Sequence, residues 1–119
     1  MKRGEIYEAC LDPTEGSEQS GIRPVIIVSR DAINAASTVV LVVPCTTYRL
    51  GKRIYPTQVL INAPEGGLVR DSVAMAEQVR ALAKTRLQGM RGVLSTSSLQ
   101  QLEKALLIAF DLPGQVEWE

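Results

Sequence analysis

Residues 16–24, GSEQSGIRP, put a carboxylate (Glu18), an amide (Gln19), two hydroxyls (Ser17, Ser20) and a guanidinium (Arg23) into one short stretch. A tight turn needs the glycines and serines, but not the charged groups. Pro24 disfavours helical geometry at Arg23 and holds it extended at the mouth of the apolar run PVIIVS. A guanidinium fixed there can grip a phosphate or carboxylate through two parallel hydrogen bonds. It can equally close a surface ion pair with Glu18 or Asp12. A second set, Thr46 and Thr47, follows VVLVVPC, where hydroxyls emerge from a buried strand. Threonines at such a place usually close a turn; they can also donate to a phosphoryl oxygen. Together these groups suit the cleavage of RNA by its own 2′-hydroxyl. That reaction needs a proton acceptor, for which Glu18 is available, and a charge aimed at the growing negative phosphorane. Arginine, with a pKa above about 12, fits the second role as a preorganised electrostatic group.

The composition narrows the field. The chain has 119 residues, 45% of them hydrophobic, which is enough for one domain with a packed core. Thirteen basic residues balance thirteen acidic ones, so any nucleic-acid site must be a local patch. One interval supplies it. No acidic residue lies between Asp31 and Glu65, whereas Arg49, Lys52 and Arg53 do. A solvated hairpin tip and a rim that tracks phosphates both fit that pattern. Histidine is absent, which removes the commonest general base and metal ligand. Cys10 and Cys45 are too few for a disulfide framework or a metal cluster and read as small buried hydrophobes. No apolar run is long enough to span a bilayer, and the N-terminus has no apolar signal core. The expectation is a cytoplasmic protein.

The elements that must position these groups are mostly strands. Glu5–Leu11 alternates, with Ile6, Glu8 and Cys10 on one face and Tyr7, Ala9 and Leu11 on the other. Asp12-Pro13 ends it, and a polar loop runs from Thr14 to Ile22. Pro24–Ser29 and Thr38–Cys45 read as buried strands, the latter with Pro44 near an end or an edge. A helical turn fits Asp31–Ser37. Strands are expected at Thr57–Asn62 and, with helix as the alternative, Ser72–Leu82; a short helix is expected at 85–90. The clearest helix is Ser98–Leu112, capped by Ser97 with Gln100 completing a capping box. Leu99, Leu102, Leu106, Ala109 and Phe110 form its apolar face, and Pro113-Gly114 stops it. The pattern predicts an α+β domain, mainly β: a compact barrel or curved sheet with helices laid on it. Residues 1–119 form one domain, with 113–119 as a tail.

Three ordered blocks carry a family resemblance. RGEIYEACLDPTEGSEQSGIRPVIIVS resembles the opening of the MazF/PemK (Kid-like) toxins of bacterial toxin–antitoxin systems. VVLVVPCTTYR is similar to their strand-then-threonine segment, and RDSVAMAEQVRALAKTRL to their late strand with its acidic-Gln-x-basic core. The likeness spans about residues 2 to 112. It implies a small SH3-like barrel with added helices and a C-terminal helix, acting as a homodimer. It implies a metal-independent endoribonuclease, without cofactor, that cuts single-stranded mRNA to leave a 2′,3′-cyclic phosphate and a 5′-hydroxyl. It further implies an antitoxin whose flexible acidic tail blocks the RNA groove, and allows DNA binding bridged by that antitoxin. Carried over by position, Arg23 and Thr46 match the catalytic arginine and threonine, and Glu18 the loop glutamate tied to proton transfer. Ser17, Gln19 and Gln78 match positions near the RNA groove. The segment YRLGKRIYPTQ, where family members differ, is the candidate for sequence preference. Arg49, Lys52 and Arg53 would hold backbone there, and Tyr48 or Tyr55 would either stack a base or pack the barrel. A rival reading is a CcdB-like DNA gyrase poison on the same fold, to which Trp118 near the C-terminus would point.

Overall fold

The computed structural model describes residues 1–114. Trp118 and the rest of the 115–119 tail lie outside them. Seven strands form a curled, mainly antiparallel sheet: β1 (Glu5–Cys10), β2 (Ile22–Ile27), β3 (Val39–Thr47), β4 (Gln58–Ile61), β5 (Ser72–Met75), β6 (Arg80–Ala83) and β7 (Leu87–Val93). The hydrogen-bonded order is β4-β5-β3-β2-β1-β7, and β6 pairs with β3 off this path. The expected curved sheet is present, but no pairing of β4 with β7 closes it into a complete barrel among the described residues. Helix α1 (Asp31–Ala36) joins β2 to β3, and α2 (Thr96–Phe110) follows β7.

The apolar runs are continuous because the centre of the sheet is covered on both faces, while Ile22, Val39 and Leu41 at the strand ends stay exposed. Ile26, Val43 and Cys45 join Ile6, Val59 and Ile61 beneath α2, which contributes Leu102 and Ala105. Their strand neighbours Val25, Ile27, Val40 and Val42 gather with Ala9, Leu11 and Leu82 on the other face, with Tyr7 packed against them. The alternation expected for β1 is therefore present: Ile6 points to one cluster, and Tyr7, Ala9 and Leu11 to the other. Cys45 is buried as expected; Cys10 is only half-buried.

Four expectations need correction, each for a local reason. The stretch 72–82 is not one strand. β5 pairs with the C-terminal end of β3 (Cys45–Thr47), β6 pairs with its N-terminal half (Val39–Val42), and a 3-10 turn at Ala76–Gln78 makes the step between them. Pro44 lies inside β3 rather than at its end. It falls in the gap between those two pairings, where a missing N–H costs little. Residues 87–93 form a strand, not a helix, preceded by a 3-10 turn at Lys84–Arg86. Of its two glycines, which blur a strand pattern, Gly92 serves close packing, since a Cβ there would come within 2.6 Å of the Gly66 backbone, whereas Gly89 faces open space. Finally, α2 starts earlier than expected. Ser95, not Ser97, is the cap, and its hydroxyl accepts the Ser98 N–H at 3.1 Å. Glu65 holds Ser95 by accepting both its N–H and its hydroxyl. At the other end the helix stops at Asp111, in left-handed geometry, and Phe110 is 56% exposed rather than packed.

The Asp31 carboxylate ties the N-terminus to α1. It accepts the Arg3 N–H at 2.7 Å and the Asn34 amide at 3.2 Å. The Arg3 N–H, helped by the Asn34 bond and by the nearby Lys2 and Arg3 charges, holds its pKa below the usual carboxylate value despite some desolvation. A carboxyl with a lowered folded pKa stabilises the fold above its unfolded pKa and loses that contribution as pH falls through the folded value. Asp31→Asn should therefore melt below the parent at neutral pH. The gap should narrow as pH drops below about 4, as thermal unfolding across a pH series would show; a gap that stays constant to pH 2 would contradict the assignment.

Candidate active site

The β1–β2 pairing sets Arg23 opposite Ala9, and the β2–β3 ladder runs to Val25 opposite Pro44. Continuing that register by two residues brings Arg23 level with Thr46. The backbone bonds have ended there, and the side chains meet instead. The Arg23 Nη1 donates to the Thr46 Oγ1 at 3.3 Å, and the Arg23 Nε donates to the Ser20 carbonyl at 2.8 Å. The guanidinium is thus aimed by its own loop on one side and by β3 on the other. Both residues are half-buried. Neither Glu18 nor Asp12 ion-pairs with Arg23: Glu18 accepts the Glu15 N–H at 2.8 Å, and Asp12 the Gly21 N–H at 3.1 Å.

Thr46 stands where two clefts meet. One, of about 180 Å³, is bordered by Arg23, Thr46, Ser72, Arg70 and Arg91. The other, of about 300 Å³, runs from Thr46 and Thr47 along Arg49, Lys52, Arg53 and Tyr55. The acid-free interval of the sequence therefore folds beside the threonine. Tyr55 does not pack the core. It is 51% exposed, with the Arg53 guanidinium 5.0 Å from its ring centre. Tyr48 is half-buried in the same cleft.

The remaining candidates gather separately. Ser17, Glu18, Gln19 and Gln78 border a third cleft of about 570 Å³, together with Glu77 and Arg80. Gln78 fastens the 14–21 loop to the sheet: its Oε1 accepts the Gln19 N–H at 2.7 Å, and its Nε2 donates to the Ser17 carbonyl at 3.2 Å. The Gln19 side-chain Oε1 is buried with no hydrogen-bond partner, an acceptor without a donor. Glu77 is fixed by the Thr57 hydroxyl and the Gln58 amide. Arg70 and Arg91 escaped the sequence reading. Arg91 lies on β7, just past the helix expected at 85–90, and Arg70 follows the Gly66-Gly67 turn far from Arg23 in sequence.

Cys45, beside Thr46 in the chain, is not a nucleophile here. Complete burial pushes its thiol up to about 12, so it stays protonated.

Residues 2–110 match the family model described as the PemK-like, MazF-like toxin of type II toxin–antitoxin systems. The chain belongs to that family. It is 44% identical over 117 residues to Endoribonuclease MazF9 of Mycobacterium tuberculosis, covering 94% of this chain and 98% of the relative. An endoribonuclease solved in complex with its cognate antitoxin from a Mycobacterial species superposes with a TM-score of 0.78 at 28% identity, covering 100% of this chain and 99% of that one. The Mycobacterium tuberculosis toxin MazF-mt6 gives 0.75 at 30% identity over 96% and 99% of the two chains. MazF from Deinococcus radiodurans, at 23% identity over 94% and 97%, shares the fold with a TM-score of 0.79. Among the described residues, no helix is long and apolar enough to cross a membrane.

Proposed function

We propose that this MazF-family toxin is an endoribonuclease that cuts single-stranded RNA, chiefly mRNA, by metal-independent transesterification. The observation that carries the reading is the Arg23–Thr46 contact at the junction of two arginine-bordered clefts. The 2′-oxygen attacks the adjacent phosphorus, the P–O5′ bond breaks, and the products are a 2′,3′-cyclic phosphate and a 5′-hydroxyl. The 2′ proton passes to a base, and a proton reaches the departing 5′-oxygen. Arg23 faces the non-bridging oxygens, where negative charge grows, and the Thr46 hydroxyl donates to one of them. A preorganised donor set of this kind acts most strongly where water is excluded. Glu18 is the proton acceptor assigned by likeness. In the free protein it is held on its own loop, so loop movement on RNA binding must deliver it to the site. Ser17, Gln19 and Gln78 contact RNA bases from the large cleft, while Arg49, Lys52 and Arg53 hold phosphates.

The same reading makes the toxin a cytoplasmic homodimer. It is silenced by a cognate antitoxin whose acidic tail competes for the basic clefts, and that antitoxin can bridge the toxin to DNA. Purified protein should cut a long transcript in EDTA and leave cyclic-phosphate ends, and it should sediment as a dimer at micromolar concentration. If no RNA is cut while DNA gyrase becomes trapped on cleaved DNA, the gyrase-poison reading replaces this one.

A further inference from the structure

The cleft that holds Arg49, Lys52 and Arg53 does not end at Tyr55. Arg53, Ile54, Tyr55 and Gln58 border it on one side and, on the other, a further cleft of about 520 Å³ closed by Gln101 and Lys104 of α2. Gln101 and Lys104 are three residues apart and share a helix face, and both are exposed. No carboxylate borders either cleft. The two ion pairs among the described residues, Arg3–Glu103 and Arg91–Glu8, involve none of Arg49, Lys52, Arg53 and Lys104. Glu103, the helix neighbour of Lys104, is held at 2.6 Å by Arg3. Glu77 bonds to the Gln58 amide but borders the separate large cleft.

This is a run of cations along a groove with an aromatic ring at its middle. Arg53 sits over Tyr55, and the half-exposed ring keeps area for a base. A groove of positive charge with an aromatic platform is how proteins hold single strands without reading every base.

Building on the RNA-cleaving function proposed above, we infer that the bound strand continues over the Arg53–Tyr55 ridge into the α2 cleft. There Lys104 holds a phosphate beyond the cleaved bond, and Tyr55 stacks a base between the two clefts. The terminal helix, which packs the core through Leu102 and Ala105, thereby also carries part of the substrate path on its outer face. The consequence is a longer RNA footprint than the Arg23–Thr46 junction and the basic loop alone would cover.

The test uses binding, with uncleavable probes. Fully 2′-O-methyl oligonucleotides of random sequence, from three to twelve residues long, are titrated by fluorescence anisotropy against the parent protein and Lys104→Glu, at several salt concentrations. The parent's affinity should rise with length beyond what the loop cleft alone accommodates. Lys104→Glu should bind the longest probes roughly tenfold more weakly and the shortest ones almost as well. Removing one phosphate contact to a single strand should also flatten the salt dependence by about 0.7 in log–log slope. Lys104→Arg should restore both. Tyr55→Ala should weaken the long probes by about 5- to 150-fold, the range for one lost base–aromatic stack. If the parent binds and cuts RNA but Lys104→Glu matches it at every length and in salt slope, the extended path is wrong and the cleavage reading stands. If the parent neither binds these probes nor cuts a transcript, both fall together.

Discussion

Arg23→Ala should cut RNA about a hundredfold or more slowly than the parent under single-turnover conditions, as loss of one preorganised donor to a charged transition state does. The expectation follows from geometry. Arg23 is held by the Ser20 carbonyl and contacts Thr46, so its charge is fixed before substrate arrives. Arg23→Lys keeps the charge but loses the planar fork, and should fall between the two. Thr46→Ala should also slow cutting, while Thr46→Ser, which retains a hydroxyl, should recover much of the rate. Equal rates for Arg23→Ala and the parent would remove Arg23 from the chemistry. Thermal melts of the variants separate this from a folding defect.

The largest expected loss of stability is at Gly67. Its φ is +74°, and a Cβ there would lie 2.0 Å from the Arg91 carbonyl oxygen and 2.6 Å from its carbon. Those neighbours are backbone of β7, so they cannot swing aside. Gly67→Ala combines left-handed strain, about 1–3 kcal/mol, with overpacking of about 1–3 kcal/mol. A total loss of about 3 kcal/mol or more in denaturant unfolding is expected. Gly16 is the control. Its φ is +56°, but nothing lies within 4 Å of its would-be Cβ, so Gly16→Ala should cost only about 1 kcal/mol. Equal losses at the two positions would mean that close packing of the Gly66-Gly67 turn on β7 is not what matters at Gly67. Because Arg91 borders the cleft beside Arg23, Gly67→Ala should also slow cutting in the folded fraction.

The strands that carry the pair were readable because their apolar runs are unbroken: Val25–Ile27 of β2 and Val42, Val43 and Cys45 of β3 are buried on both faces, although Val39 and Leu41 at the start of β3 stay exposed. The pairing of Arg23 with Thr46 was half-legible. Pro24 and the end of VVPC fixed where each residue sits, but only the β2–β3 register brings them level. Glu18 read as a partner for Arg23 because it is near in sequence; its own loop takes its carboxylate instead. β7 was missed because two glycines and two long polar side chains interrupt its pattern, and its pairing with β1 is non-local. With β7 went Arg91. The early start of α2 was hidden in four consecutive hydroxyl residues, 95–98, any of which could cap. Glu65, thirty residues away, selects Ser95.

The measurement that bears most directly on the shared role of Arg23 and Thr46 is a double-mutant cycle on RNA cleavage in EDTA. It compares the parent, Arg23→Ala, Thr46→Ala and the double variant on one transcript, with 5′ ends mapped in each case. Two groups that act as a unit on one phosphate should be strongly non-additive, with a coupling of about 0.5–3 kcal/mol. The double variant should then be little slower than the worse single one. Two large losses that simply add, or single variants that cut at the parental rate, would contradict a shared site.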